Sequence, residues 1–241
     1  MSTVLQRMAR SAQAGALAIT VAITALAMLG LAAPAHAGRP CEDRPLETVD
    51  IERGLALAER TQRALEASGA QVVLLARAGQ DLGKYGLRWS HLGFAYRDNS
   101  ASRPVWRVVH KLNHCGTAEA QLYRQGLGEF FLDRPYRYEA AFVPLAAPVQ
   151  ARLLPLLADN GRVAALHEPR YSMVAYPWST RYQQSNQWAL ETLALAAGGG
   201  EGRSDAQRWL RAQGWQPTTL RLGALTRLGA RMTAANVASV S

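Results

Sequence analysis

The chain has 241 residues, of which 49% are apolar, 19% charged and 7% aromatic, a globular composition that excludes a wholly disordered or collagen-like chain. Twenty-seven basic and 18 acidic side chains leave a formal charge of +9, and all but two of the basic residues are arginines. Two cysteines exclude a disulfide-dense mini-protein. No run of four basic residues occurs, so the charge reads as a solvated arginine-rich surface and gives no case for nucleic-acid binding.

Residues 1–37 read as a secretory signal peptide. Arg7 and Arg10 form a positive start, Ala14 to Ala33 is apolar and uncharged, and Ala35-His36-Ala37 offers a small-x-small cleavage site. The apolar run is long enough for an uncleaved anchor, the alternative to cleavage. No later segment is apolar enough to span a membrane, so no transmembrane segment remains after cleavage. The expected location is periplasmic or secreted. In an oxidising compartment Cys41 and Cys115 are expected to pair as a disulfide. Closing a loop of roughly 70 residues contributes about 4 kcal/mol in the chain-entropy model.

Residues 38–48 read as a proline-containing linker, and 49–241 as one α+β domain. Val49 to Ala67 has helical spacing and ends at Gly69. Gln71 to Ala76 is a short apolar strand, followed by a loop over Ala78 to Gly86. Leu87 to Arg97 and Val105 to Leu112 read as an antiparallel hairpin turned at Asp98-Asn99-Ser100. Thr117 is expected to cap a helix running to Gln125 and stopped by Gly126. Tyr136 to Pro144 is another strand, and Pro148 opens a helix to Ala158.

His167 to Gln184 carries Tyr171, Tyr176, Trp178 and Tyr182 and reads as a long ordered loop. A buried helix follows from Asn186 to Ala197, ended by three glycines. Ser204 and Gln207 fit the capping box of a further helix, which Gly214 ends. Thr218 to Met232 fits either strand or helix.

Strand alternation places His91 with Trp89 and Gly93, and His110 with Trp106 and Val108. On adjacent strands the two histidines can meet, one as general base and the other as its orienting partner. Half-buried, hydrogen-bonded structural histidines are the plainer alternative. His110 and His114 have the His-x-x-x-His spacing that suits zinc only on a helix, but they fall at a strand end and in a turn, and beside Cys115 no fourth ligand is evident, so no metal site is expected and no cofactor is implied. At the buried helix, Ser185 is either an N-cap or, given a base, a nucleophile. Asn186 follows it.

Several strings resemble an uncharacterised bacterial family, domain of unknown function 2145. They are Ala76 to Leu82, Gly86 to Ala95, Leu112 to Gly116, Leu122 to Leu127 and Tyr182 to Trp188. The element order is also similar to circularly permuted NlpC-type papain-like hydrolases. That resemblance implies an antiparallel sheet packed on a buried helix, with His91 as base and His110 as its orienter. The nucleophile position falls on Ser185 or Asn186, where this chain has no cysteine.

Two functions follow from the resemblance. One is an exported cell-envelope protein that keeps a papain-like groove and binds without catalysis. Trp89, Tyr171, Tyr176, Trp178 and Tyr182 would line the groove, and its ligand would be an envelope peptide, glycan or lipid. The alternative is a serine-dependent amidase or esterase acting on an envelope peptide, glycan or acyl substrate.

Overall fold

The computed structural model describes residues 45–100 and 102–219. The expected signal peptide over 1–37, most of the expected linker over 38–48, Cys41 and nearly all of residues 218–241 lie outside the described residues. Among the described residues no helix is long and apolar enough to cross a membrane.

The elements run α1 (Thr48–Ser68), β1 (Val72–Ala78), a single 3-10 turn (Gly83–Tyr85), β2 (His91–Asp98) and β3 (Val105–Asn113). They continue with β4 (Ala120–Gly126), α2 (Leu127–Phe131), β5 (Arg137–Pro144), α3 (Ala147–Ala158) and α4 (Asn160–Val163). The last two are α5 (Ser185–Ala196) and α6 (Arg203–Ala212). The five strands form one sheet in the order β4-β3-β2-β1-β5, every neighbouring pair antiparallel. The architecture is α+β.

Local chemistry explains where the helices start and stop. α1 opens with a reciprocal capping box between Glu47 and Asp50 and closes on Gly69 at φ 67°. Leu57, Thr61 and Leu65 recur every four residues and, with Ala58, form its buried stripe. α3 carries Pro148 in its first turn, where the missing N–H costs nothing.

Both faces of the sheet are covered. Alternation sends Val73, Leu75, Ala95 and Val108 to one face, where Leu57, Ala58 and Leu65 of α1 and Leu127, Phe130 and Phe131 of α2 pack. It sends Val72, Phe94, Tyr96 and Val109 to the other, under Leu153 and Leu157 of α3 and Trp188 and Ala189 of α5. A third cluster joins Ala194 of α5 to Ala206 and Leu210 of α6. These helices therefore make two opposed layers, and a strand residue's parity decides which it meets.

Gly93 marks the closest approach of β2 and β3. A Cβ there would stand 2.9 Å from the His110 Cβ and 3.0 Å from the Val109 carbonyl oxygen. Gly93→Ala is therefore expected to destabilise the fold by about 1–3 kcal/mol, read as a lower midpoint in urea unfolding.

Three expectations are corrected. The segment from Thr117 to Gln125 is not a helix: from Ala120 onward it is β4, which pairs with β3 from Asn113↔Ala120 to Arg107↔Gly126. Its apolar and polar residues serve both faces by alternation, and the ladder satisfies a strand that would otherwise be unpaired on that side. Ser185 is not the N-cap of α5; Gln184 is, its side chain accepting from the Asn186 N–H at 3.3 Å. Ser204 caps nothing, because α6 already begins at Arg203 with Gly202 as its N-cap.

The aromatic segment after α4 is ordered by the β4 side of the sheet. The Ala120 N–H donates to the Pro169 carbonyl at 2.8 Å and the Tyr171 N–H to the Ala118 carbonyl at 2.7 Å. Glu119 and Arg170 form an isolated antiparallel bridge.

Candidate functional site

His91 is the first residue of β2 and His110 lies on β3, both on the face covered by α1 and α2. Because Gly93 has no side chain beside His110, the two rings meet: His91 Nε2 and His110 Nδ1 are 2.8 Å apart, with the rings edge-to-face at 5.1 Å. Phe130 of α2 lies 5.0 Å from His110 and 6.1 Å from His91, centroid to centroid. His110 is fully buried.

The pair continues into a chain that the sequence did not reveal. His110 Nε2 lies 2.6 Å from Gln125 Oε1, and Gln125 Nε2 donates to Glu129 Oε1 at 3.1 Å. A carboxylate only accepts, so Gln125 turns its amide nitrogen to Glu129 and its oxygen to His110. His110 then donates from Nε2 and accepts at Nδ1, and His91 donates from Nε2. The chain ends on His91 Nδ1, which is left as an acceptor.

Arg77 on β1 stands opposite His91 in the register and is almost fully buried. Its guanidinium donates to the Phe130 carbonyl and to Asp133 Oδ2, and lies 4.6 Å from the centre of the Phe130 ring. Burial pushes His110 down to about 4, with the Arg77 charge acting in the same direction. Burial, then Arg77 and His110, hold His91 well below the ordinary histidine range. Both imidazoles are therefore neutral at neutral pH, as proton acceptors must be. Beside them a cavity of about 250 Å³ is lined by Arg77, Leu112, Gln125, Glu129, Leu132 and Asp133.

The residues named for the start of α5 sit differently. α5 packs on the other face of the sheet, where Trp188 meets Phe94 edge-to-face at 5.9 Å. Ser185 is buried and its hydroxyl faces the Tyr171 phenol. Asn186 reaches the strand that carries His91: its Oδ1 accepts from the Leu92 N–H at 2.9 Å and its Nδ2 donates to the Ser90 carbonyl at 3.4 Å. The structure thus joins His91 to His110 and sets Asn186 against the backbone on both sides of His91. It gives Ser185 a different partner.

The five aromatic residues expected to share a groove are dispersed. Tyr171 is buried, while Tyr176 is 52% exposed. Trp178 packs against Trp215 at 5.3 Å and under the Arg211 guanidinium at 4.4 Å. Trp89 and Tyr182 are half-buried beside Arg88 and Arg181. None of the five lines the cavity beside the histidines.

His110 has both ring nitrogens engaged, and His114 and Cys115 lie beyond the end of β3. Among the described residues no group of three His, Cys, Asp or Glu is placed to hold a metal ion.

A second polar centre lies under α5. Glu191, fully buried, accepts from Arg203 at 2.7 Å, from Gln183 and Gln207 at 2.6 Å and from Gln187 at 3.2 Å. Gln183 also accepts from Lys111 Nζ at 2.8 Å. This network holds α5, α6 and the aromatic segment together, since Arg203 also donates to the Ser179, Thr180 and Tyr182 carbonyls.

No curated protein and no solved structure gives a match to this chain. One family does, over residues 64–240, a stretch that includes every member of the histidine chain and the start of α5. The chain therefore belongs to DUF2145, a family described as uncharacterised protein conserved in bacteria.

Proposed function

We propose that this chain is an exported cell-envelope protein with a papain-like arrangement, and that it binds an envelope peptide or glycan beside the histidine pair without forming an acyl-enzyme. The observation that most supports this is the state of the nucleophile position. Asn186 uses both polar atoms of its side chain on the β2 backbone, and Ser185 faces Tyr171. An acyl-enzyme needs a nucleophile within hydrogen-bond reach of its base. The cavity walls favour a polar ligand over a lipid chain: four of the six lining residues are charged or amide-bearing. Export rests on the layout of residues 1–37, and with it a Cys41–Cys115 disulfide; the described residues contain no free cysteine.

The histidine chain favours a second reading, a serine-dependent amidase or esterase, since a passive cleft has no need of a tautomer-fixed imidazole. In that reading Ser185 leaves Tyr171 and must pass around the end of β2 to reach His91, because α5 packs on the opposite face of the sheet. One experiment separates the two. The mature protein is treated with a fluorophosphonate probe and titrated calorimetrically with a muropeptide. Binding is expected without labelling, and Leu132→Trp, which fills the cavity, is expected to weaken binding more than tenfold. Labelling that is lost in both Ser185→Ala and His91→Ala establishes the enzyme. Muropeptide binding that is equal in Leu132→Trp and the wild type removes the cavity from the reading.

A further inference from the structure

We infer that Gln125 and Glu129 are positioning residues that set the tautomers of the histidine pair and leave His91 with an unprotonated Nδ1 as its acceptor. The inference rests on the reading that the ligand is handled beside the histidines, but its test needs no ligand.

The argument is directional. Each link in the chain has one donor and one acceptor, and only the terminal carboxylate lacks a choice. Glu129 Oε1 accepts from Gln125 Nε2, which leaves Gln125 Oε1 to accept from His110. His110 must then carry its proton on Nε2 and accept at Nδ1 from His91 Nε2. A neutral imidazole has one proton, so His91 is left with a bare Nδ1. Reversing the first link reverses every later one.

Glu129 is exposed, so it can be changed without disturbing the core. Lysine is a donor only. Glu129→Lys turns the Gln125 oxygen outward and its amide nitrogen toward His110, which then accepts at Nε2. His110 donates from Nδ1 to His91 Nε2, and His91 carries its proton on Nδ1.

The test is two-bond ¹H–¹⁵N correlation spectra of the histidine rings, recorded at pH 7.5 on the folded mature protein. In the wild type both His91 and His110 are expected as neutral Nε2–H tautomers. In Glu129→Lys both are expected as Nδ1–H tautomers. Glu129→Ala, which removes the acceptor without supplying a donor, is expected to show both forms. A wild-type His91 protonated at Nδ1, or an imidazolium at either position, overturns the inference. So do wild-type tautomers retained in a folded Glu129→Lys or Glu129→Ala variant. A merely structural carboxylate would change stability and leave the ring spectra alone. Failure of muropeptide binding leaves these spectra unaffected, so the two readings fail separately.

Discussion

Replacing Glu191 with alanine is expected to cost about 3–5 kcal/mol of folding stability, measured as the change in urea-unfolding free energy. Glu191 is the one acceptor on which Arg203, Gln183, Gln187 and Gln207 converge, with no exposure to water. Removing it leaves a largely buried guanidinium and three amide donors without that acceptor. Glu191→Gln keeps an oxygen in place and loses the charge, so its cost is expected to be smaller. The loss should extend to the aromatic segment: Arg203 also holds the Ser179, Thr180 and Tyr182 carbonyls, and faster amide exchange is expected just downstream of Tyr176.

Stability is expected to rise as pH increases from about 7 to about 10.5, by an amount up to roughly 5 kcal/mol, because of Lys111. This lysine on β3 is fully buried, and burial pushes its ammonium down from 10.5 to about 7, with the Arg203 charge adding to the shift. Its Nζ donates to the Glu168 carbonyl at 2.5 Å and to Gln183 at 2.8 Å. Below pH 7 both the folded and unfolded states hold the proton, and the folded state carries the whole cost of a buried charge. Between 7 and 10.5 the folded state has released the proton while the unfolded chain still binds it, so the cost is relieved. Above 10.5 the contribution is constant. Lys111→Met, of similar length and without the charge, is expected to flatten this rise in a thermal-melting series across the same pH window.

The histidine pair was legible in the sequence because it depends on two short-range rules. Alternation places His91 with Gly93 and His110 with Val108, and the turn at Asp98 to Ser100 brings the strands together. The remainder of the chain was not legible. Gln125 fell at the end of a helix expected from a threonine cap and a glycine stop. It enters the site only because that segment pairs with β3 instead, a tertiary choice no local signal records. Glu129 sits on a five-residue helix, too short to announce itself by periodicity. Arg77 lies just past the apolar strand read over Gln71 to Ala76, yet β1 runs on through it and cross-strand register puts it beside His91. Asn186 was visible as a polar residue at a helix start. Its attachment to the backbone around His91 depends on how α5 lies on the sheet.

The aromatic segment that follows α4 has a consequence for association. By hydrogen-bonding to Ala118 and Ala120 and bridging Arg170 to Glu119, it caps the entry to one outermost strand. No strand among the described residues flanks the far side of β5, the other outermost strand, and Val143 on it is 60% exposed. An open sheet margin is a template for strand addition from another chain. β5 guards against this with charge: Arg137 and Glu139 lie on it, the latter paired with Arg88. Neutralising those two residues would turn a guarded margin into a seam for strand addition.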